Sequence, residues 1–179
     1  MRVITGNARG RKLKTPENYD IRPTSDQVKE SIFNIIQFDI EGRRVLDLFA
    51  GTGQLGIECL SRGAAEAVFV DQSRDAVKIV RENLKSCGLE GAVLQMDALS
   101  FLRGCGRFDL IFVDPPYDSP LYEEVLKVIN SVDILSDGGI IMCESRQKKS
   151  LPEMKAPYRK VKEYNYGKVK LCLYTKENA

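Results

Sequence analysis

Asp114, Pro115, Pro116 and Tyr117 set side by side one carboxylate, two rigid residues with free carbonyls and one aromatic ring. The exocyclic amine of a nucleobase is a poor nucleophile, because its lone pair is conjugated into the ring. If the Asp114 carboxylate and the Pro115 carbonyl accept its two N–H groups, the lone pair is turned outward, and Tyr117 can stack on the flipped-out base. These four residues form the candidate catalytic group. They follow Leu-Ile-Phe-Val at 110–113, an apolar run of β-forming types, and prolines cannot continue a sheet ladder. The run reads as a buried strand that delivers the group to the carboxyl edge of a sheet, where open α/β sheets bind ligands.

A second group lies upstream. Gly51, Gly53 and Gly56 match G-x-G-x-x-G, and Asp71 follows Gly51 by 20 residues, which also fits a dinucleotide fingerprint. Asp47, four residues before the first glycine, separates the two readings. A pyrophosphate at the helix N-terminus would be opposed by that carboxylate. S-adenosylmethionine carries an amino group and a sulfonium cation and has no phosphate, so Asp47 would attract it. The candidate cofactor residues are therefore Asp47, Phe49, Ala50, Gly51 and Gly53 in the turn, Asp71 toward the ribose, Asp97 toward the adenine amine, and Gln72 and Ala98 beside them. Asp71 could instead merely precede a helix capped by Ser73, and Asp97 could cap the short helix after it. Three acids at the ends of three successive strands favour the cofactor reading.

Alternating elements must position these residues. A helix entered at Thr24, with Gln27 as its capping-box partner, carries the stripe Val28, Ile32, Ile35 and Ile36 and ends before Gly42. Strands are expected at 45–49, 67–70, 92–96, 110–113 and 139–143. Between them lie helices at 54–62, from 73 through Leu84, at 99–102 and from 119 through Ile129. This βαβα order predicts a mostly parallel sheet covered on both faces. Residues 158–175 read as two β segments broken at 165–167, an antiparallel hairpin, and 2–15 as a small N-terminal β-hairpin.

Composition bounds the rest. The 179 residues suffice for one core and a small appendage, divided as a basic hairpin arm at 1–20 and a Rossmann-like domain at 21–179. No apolar run near 18 residues and no signal peptide is present, which points to a cytoplasmic protein with no membrane partner. The chain lacks histidine, so Ser-His-Asp and Cys-His catalysis are excluded and no metal site is expected. Its five cysteines are odd in number and lie at least 18 residues apart, as buried free thiols would.

Charge is unevenly spread. Residues 1–22 carry six basic and two acidic groups and residues 146–179 ten and three, whereas 23–145 carry eleven basic against twenty acidic. Two basic ends around an acidic centre fit a phosphate-backbone partner. Arg2, Arg9, Arg11 and Lys12 on the N-terminal hairpin are the first candidates for such contact, with Arg22 and Thr24 beside the pocket.

Four blocks carry a resemblance: ARGRKL at 8–13, RPTSDQVKESIFN at 22–34, LDLFAGTGQLGIECLSRGA at 46–64 and FVDPPY at 112–117. With them the chain resembles the bacterial 16S ribosomal RNA guanine-N2 methyltransferases. The resemblance implies a monomeric α/β enzyme with the Rossmann-like class I methyltransferase fold, its seven-stranded sheet ending in an antiparallel hairpin. It further implies S-adenosylmethionine as cofactor and 16S rRNA, within a small-subunit particle, as substrate. The motif at 114–117 does not itself distinguish guanine N2 from adenine N6. An amino-methyltransferase of another RNA or DNA base, a nonenzymatic RNA-binding or assembly protein on the same scaffold, and a nicotinamide-dependent oxidoreductase stand as alternatives.

Overall fold

The computed structural model describes residues 1–16, 26–116 and 119–177. Arg22, Thr24 and Tyr117 lie outside them. The elements follow in the order α1 (Asp26–Ile35), β1 (Arg44–Asp47), α2 (Gln54–Ser61), β2 (Glu66–Asp71), α3 (Arg74–Cys87), β3 (Ala92–Gln95), α4 (Ala98–Leu102), β4 (Phe108–Val113), α5 (Leu121–Val132), β5 (Leu135–Arg146), β6 (Tyr158–Tyr166) and β7 (Val169–Lys176).

One sheet of seven strands runs in the order β3-β2-β1-β4-β5-β7-β6. The first five are parallel, β7 is antiparallel to β5, and β6 is antiparallel to β7. Alternation along the strands sorts side chains onto two faces. Val45, Leu110 and Phe112 join the core under α1, α2 and α3, whereas Leu46, Ile111 and Val113 join the core under α4 and α5. The chain builds outward from β1 to β3 and then returns to β4, so the ends of β1 and β4 lie side by side at the point where strand order reverses. In such sheets that crevice is where ligands bind.

The strand expected at 139–143 is longer: β5 spans Leu135–Arg146, with a register shift where β4 passes from Phe108, opposite Leu135, to Leu110, opposite Ile140. The intervening Ser-Asp-Gly-Gly carries no apolar side chain, so hydrophobic pattern could not reveal it as strand. The five cysteines are free, four of them buried and Cys105 half-buried.

The N-terminal segment is a small hairpin, with Val3 N donating to Arg11 O at 2.9 Å, Leu13 N to Met1 O at 3.2 Å, and a bridge between Arg2 and Lys12. It lies clamped along α2. Val3, Ala8 and Leu13 are buried in the core. The Glu58 carboxylate accepts the N–H groups of Ile4 and Thr5 at 2.8 and 2.9 Å. Ser61 Oγ accepts Ala8 N at 2.9 Å and donates to Thr5 O. Only glycine fits at Gly6: its φ is +85° and a Cβ would stand 1.7 Å from Ser61 O.

Candidate functional site

Asp47 ends β1 with only 3% of its surface exposed. The helix that follows starts at Gly53, which is left-handed at φ 76° and has no side chain to cap it. Asp47 supplies the cap from below: its Oδ2 accepts the N–H of Gly56 at 3.0 Å. Burial pushes the Asp47 carboxyl up to about 7; the Gly56 N–H works against that rise and the charge of Asp71 adds to it. The turn between strand and helix is held from the next strand. Gly51 N donates to Asp71 Oδ2 at 2.9 Å, and Ser73 N to Asp71 Oδ1 at 2.8 Å. A Cβ at Gly51 would meet nothing closer than the Phe49 carbonyl at 4.0 Å, whereas one at Gly53 would press on Val80 and Ile57 at 3.1 to 3.3 Å. The outer part of the turn is thus bare backbone that a ligand can approach, and its inner part is packed on α3.

Along the same edge, Ala50 is buried and donates its N–H to Val70 O, which ties the turn to β2. Phe49 packs on the α4 and α5 side. Gln72 is exposed. Asp97 is also exposed and caps α4, with Oδ1 accepting Ser100 N at 2.9 Å; Ala98, the first residue of that helix, is buried. The fold therefore brings Asp47, Asp71 and Asp97 to the carboxyl ends of β1, β2 and β3. Each also does structural work there through a backbone N–H. A carboxylate has lone pairs beyond those used, so bracing and ligand binding are compatible. An open glycine turn, a buried acid and two further acids fit a ligand with a cationic head and a hydroxylated, amine-bearing tail.

Asp114 follows β4, half-buried, with Pro115 buried and Pro116 exposed; Pro116 O accepts Ser119 N at 3.2 Å. Its carboxyl is pushed well above the usual range, first by burial, then by Glu144 and by Asp47. Glu144 was not anticipated from sequence. It lies on β5 one residue beyond Cys143, the partner of Val113, and is 2% exposed. The signal was available, since an acid that directly continues the apolar run 140–143 of a strand is placed where side chains are buried. Asp47, Asp114 and Glu144 thus gather three carboxyl groups where strand order reverses, and their closeness works against their ionising together.

The basic candidates are dispersed. Arg9 and Arg11 lie toward the hairpin tip, which bonds through Asn7 N to Ser61 O at the end of α2, while Arg11 stands near Cys87 at the end of α3. Those helix ends lie at the amino edge of the sheet, opposite Asp114. Arg2 and Lys12 pair next to the open end of the hairpin, where Met1 meets Thr52 of the glycine turn.

A further unanticipated cluster joins the hairpin to α1 and α2. Lys29 Nζ, fully buried, donates to Arg2 O at 2.5 Å and pairs with Glu58 at 3.4 Å; Glu58 also pairs with Arg62 at 2.9 Å. Burial lowers the Lys29 pKa despite the Glu58 charge beside it. Among the described residues no helix is long and apolar enough to cross a membrane.

Comparison with known proteins agrees with this geometry. Residues 1–175 match the family model described as "Conserved hypothetical protein 95". The chain is 39% identical, over 98% of its length and 99% of the relative's, to a Bacillus subtilis protein named "Putative rRNA methyltransferase YlbH". It is 36% identical to "Ribosomal RNA small subunit methyltransferase D" of Escherichia coli K12, over 99% and 90% of the two chains. The solved structure named "Putative methyltransferase yhhF from Escherichia coli" superposes with a TM-score of 0.90 at 35% identity, covering 100% of this chain and 99% of that one. Sheet order, glycine turn and acids at the strand ends define a Rossmann-like methyltransferase. Within that class the chain belongs to the Conserved hypothetical protein 95 family.

Proposed function

We propose that this protein transfers a methyl group from S-adenosylmethionine to the exocyclic N2 of a guanine in 16S rRNA. The observation that carries this reading is the half-buried Asp114 carboxyl at the strand-order reversal, one strand from the buried Asp47. Relatives named for small-subunit ribosomal RNA methylation supply the class of substrate.

Asp47, Phe49, Ala50, Gly51 and Gly53 hold the amino acid end of the cofactor, Asp71 and Gln72 the ribose, Asp97 and Ala98 the adenine. When bound, S-adenosylmethionine supplies an electrophilic methyl group. The chain's own residues do the remainder. Asp114 and the Pro115 carbonyl accept the N–H groups of the target amine, Pro115 and Pro116 keep those acceptors rigid, and Tyr117 stacks on the base. Ionised Asp114 also stabilises the positive charge that develops on the amine, and it can take the proton the amine gives up. Arg2, Arg9, Arg11, Lys12, Arg22 and Thr24 extend contact to the RNA of a small-subunit particle, on which the protein acts as a cytoplasmic monomer.

Mapping methylated bases in 16S rRNA from cells lacking the protein, and again after its return, tests the reading. One guanine should lose and regain N2 methylation. An unchanged map would contradict it.

A further inference from the structure

The C-terminal hairpin carries a charge pattern that the site described above does not use. Its basic groups divide by position. Toward the amino edge they are neutralised: Lys176 pairs with Asp133 and Asp137 at 2.8 and 3.1 Å, and Arg159 with Glu177 at 2.8 Å. Lys160 and Lys170 are likewise held by Glu153 and Glu163. Lys148, Lys162 and Lys168 are exposed, and among the described residues no carboxylate pairs with them.

Register says where those charges stand. Glu144 lies opposite Leu171 and Leu171 opposite Tyr164, while Arg146 lies opposite Val169 and Val169 opposite Tyr166. Directly paired residues share a face, so Tyr164 and Tyr166 continue outward along the sheet on the face and at the edge where Asp114 and Glu144 meet. Both rings are half-buried against the core. Lys162 Nζ lies 4.9 Å from the centre of the Tyr164 ring. Gln147 N donates to Lys168 O at 2.9 Å, which fixes the β6–β7 turn against the end of β5. Lys149 Nζ donates to Ser119 O at 2.7 Å, tying the connection after β5 to the segment after Pro116. The result is a strip of half-buried aromatic rings and exposed ammonium groups, unpaired with carboxylates among the described residues, leading away from the catalytic carboxylate.

We propose that this strip holds the single-stranded RNA flanking the target base, with Tyr166 as a stacking surface, Tyr164 seating the Lys162 ammonium, and Lys148, Lys162 and Lys168 on the phosphates. Basic groups interleaved with aromatic rings are what single strands require, since every base has a face to stack and every step a phosphate to neutralise. The inference rests on the rRNA methyltransferase reading and adds to it the surface that positions the strand.

The test compares the full chain with the variants Lys148→Ala/Lys162→Ala/Lys168→Ala and Tyr166→Ala. The substrate is 16S rRNA or small-subunit particles from cells lacking the protein. Calorimetry with S-adenosylmethionine should give the same affinity for all three proteins. The KM for RNA should rise about tenfold or more in each variant, and the triple variant should lower the slope of log affinity against log salt by about 2. An unchanged KM and salt slope, with the parent chain methylating normally, would overturn the strip and leave the methyltransferase reading intact. A parent chain that methylates no rRNA would overturn that reading and the strip with it.

Discussion

The Asp47 carboxylate accepts the backbone N–H of Gly56 at 3.0 Å, so the acid that ends β1 caps the helix that starts after the glycine turn. In doing so it is buried, and its carboxyl sits at about 7. An unfolded chain has an aspartate near 3.9. Between those values the folded state holds the extra proton, so stability falls as pH rises from about 4 to about 7. Asp47→Asn keeps an acceptor for Gly56 and removes the charge. Thermal melts from pH 5 to 8 should show a shallower decline for the variant, which should exceed the parent by roughly 1–3 kcal/mol at pH 8. In the parent, affinity for S-adenosylmethionine should strengthen as pH rises through 7 and the carboxylate ionises; in the variant it should be weaker and flat. Parallel pH profiles for the two proteins would contradict this assignment.

Gly56 has a second reason to be glycine. A Cβ there would stand 2.3 Å from the ring of Phe69, which is fully buried under α2. Gly56→Ala should cost about 2 kcal/mol by displacing the helix from the sheet. Because the same residue donates to Asp47, cofactor affinity should fall with it. Urea denaturation of Gly56→Ala with and without Phe69→Leu checks the cause, since relief of the clash should make the double variant more stable than the two single changes predict when added.

Glu58 holds together three elements that are distant in sequence. Removing its carboxylate leaves the Lys29 ammonium buried without an acid and the Ile4 and Thr5 amides without their acceptor. Glu58→Ala should cost about 3–5 kcal/mol and lower Tm by roughly 10 °C. Hydrogen exchange should show the amides of Ile4 and Thr5 losing protection first. Replacing Lys29 and Glu58 together by Met and Leu should recover only the part of the loss that comes from the unpaired ammonium, because the Ile4 and Thr5 amides and Arg62 still lack their acceptor.

Asp114 sits where its charge is unfavourable to the fold. Burial and the neighbouring Glu144 and Asp47 all push its carboxyl up, so ionisation costs folding stability at neutral and higher pH. Asp114→Asn should raise stability by about 1 kcal/mol at pH 8 while reducing methyl transfer by about 10²–10⁴-fold. Chemical denaturation and a transfer assay on one preparation measure both. A variant that is less stable yet transfers methyl groups at the parent rate would show that the carboxylate serves the fold and not the chemistry.

Much of this arrangement was legible in the sequence because apolar periodicity and glycine turns are local signals. The helix read from 73 through Leu84 is α3, which buries Ala76, Val77, Val80 and Leu84, and the run at 110–113 is the buried β4. The acids at 47, 71 and 97 were found from their place at strand ends. Their second task, bracing backbone N–H groups across the turn and at helix starts, was open for Asp97 and unseen for Asp47 and Asp71, because those bonds need the glycine turn folded between β1, β2 and α2. Lys29 and Glu58 were missed because charged residues default to the surface, and only three-dimensional contact reveals that these are buried; Glu144 was missed although it directly continues the apolar run 140–143. The position of Arg9 and Arg11 at the amino edge was equally invisible, since composition counts charges without placing them.

In the proposed reaction Asp114 directs an exocyclic guanine amine of small-subunit rRNA toward a methyl donor. The most direct test incubates purified protein with tritiated S-adenosylmethionine and small-subunit particles from cells lacking it, then digests the RNA and separates the nucleosides. Tritium in N2-methylguanosine, abolished by Asp114→Asn, is the predicted result. Tritium in N6-methyladenosine, or incorporation unchanged by Asp114→Asn, would contradict the account.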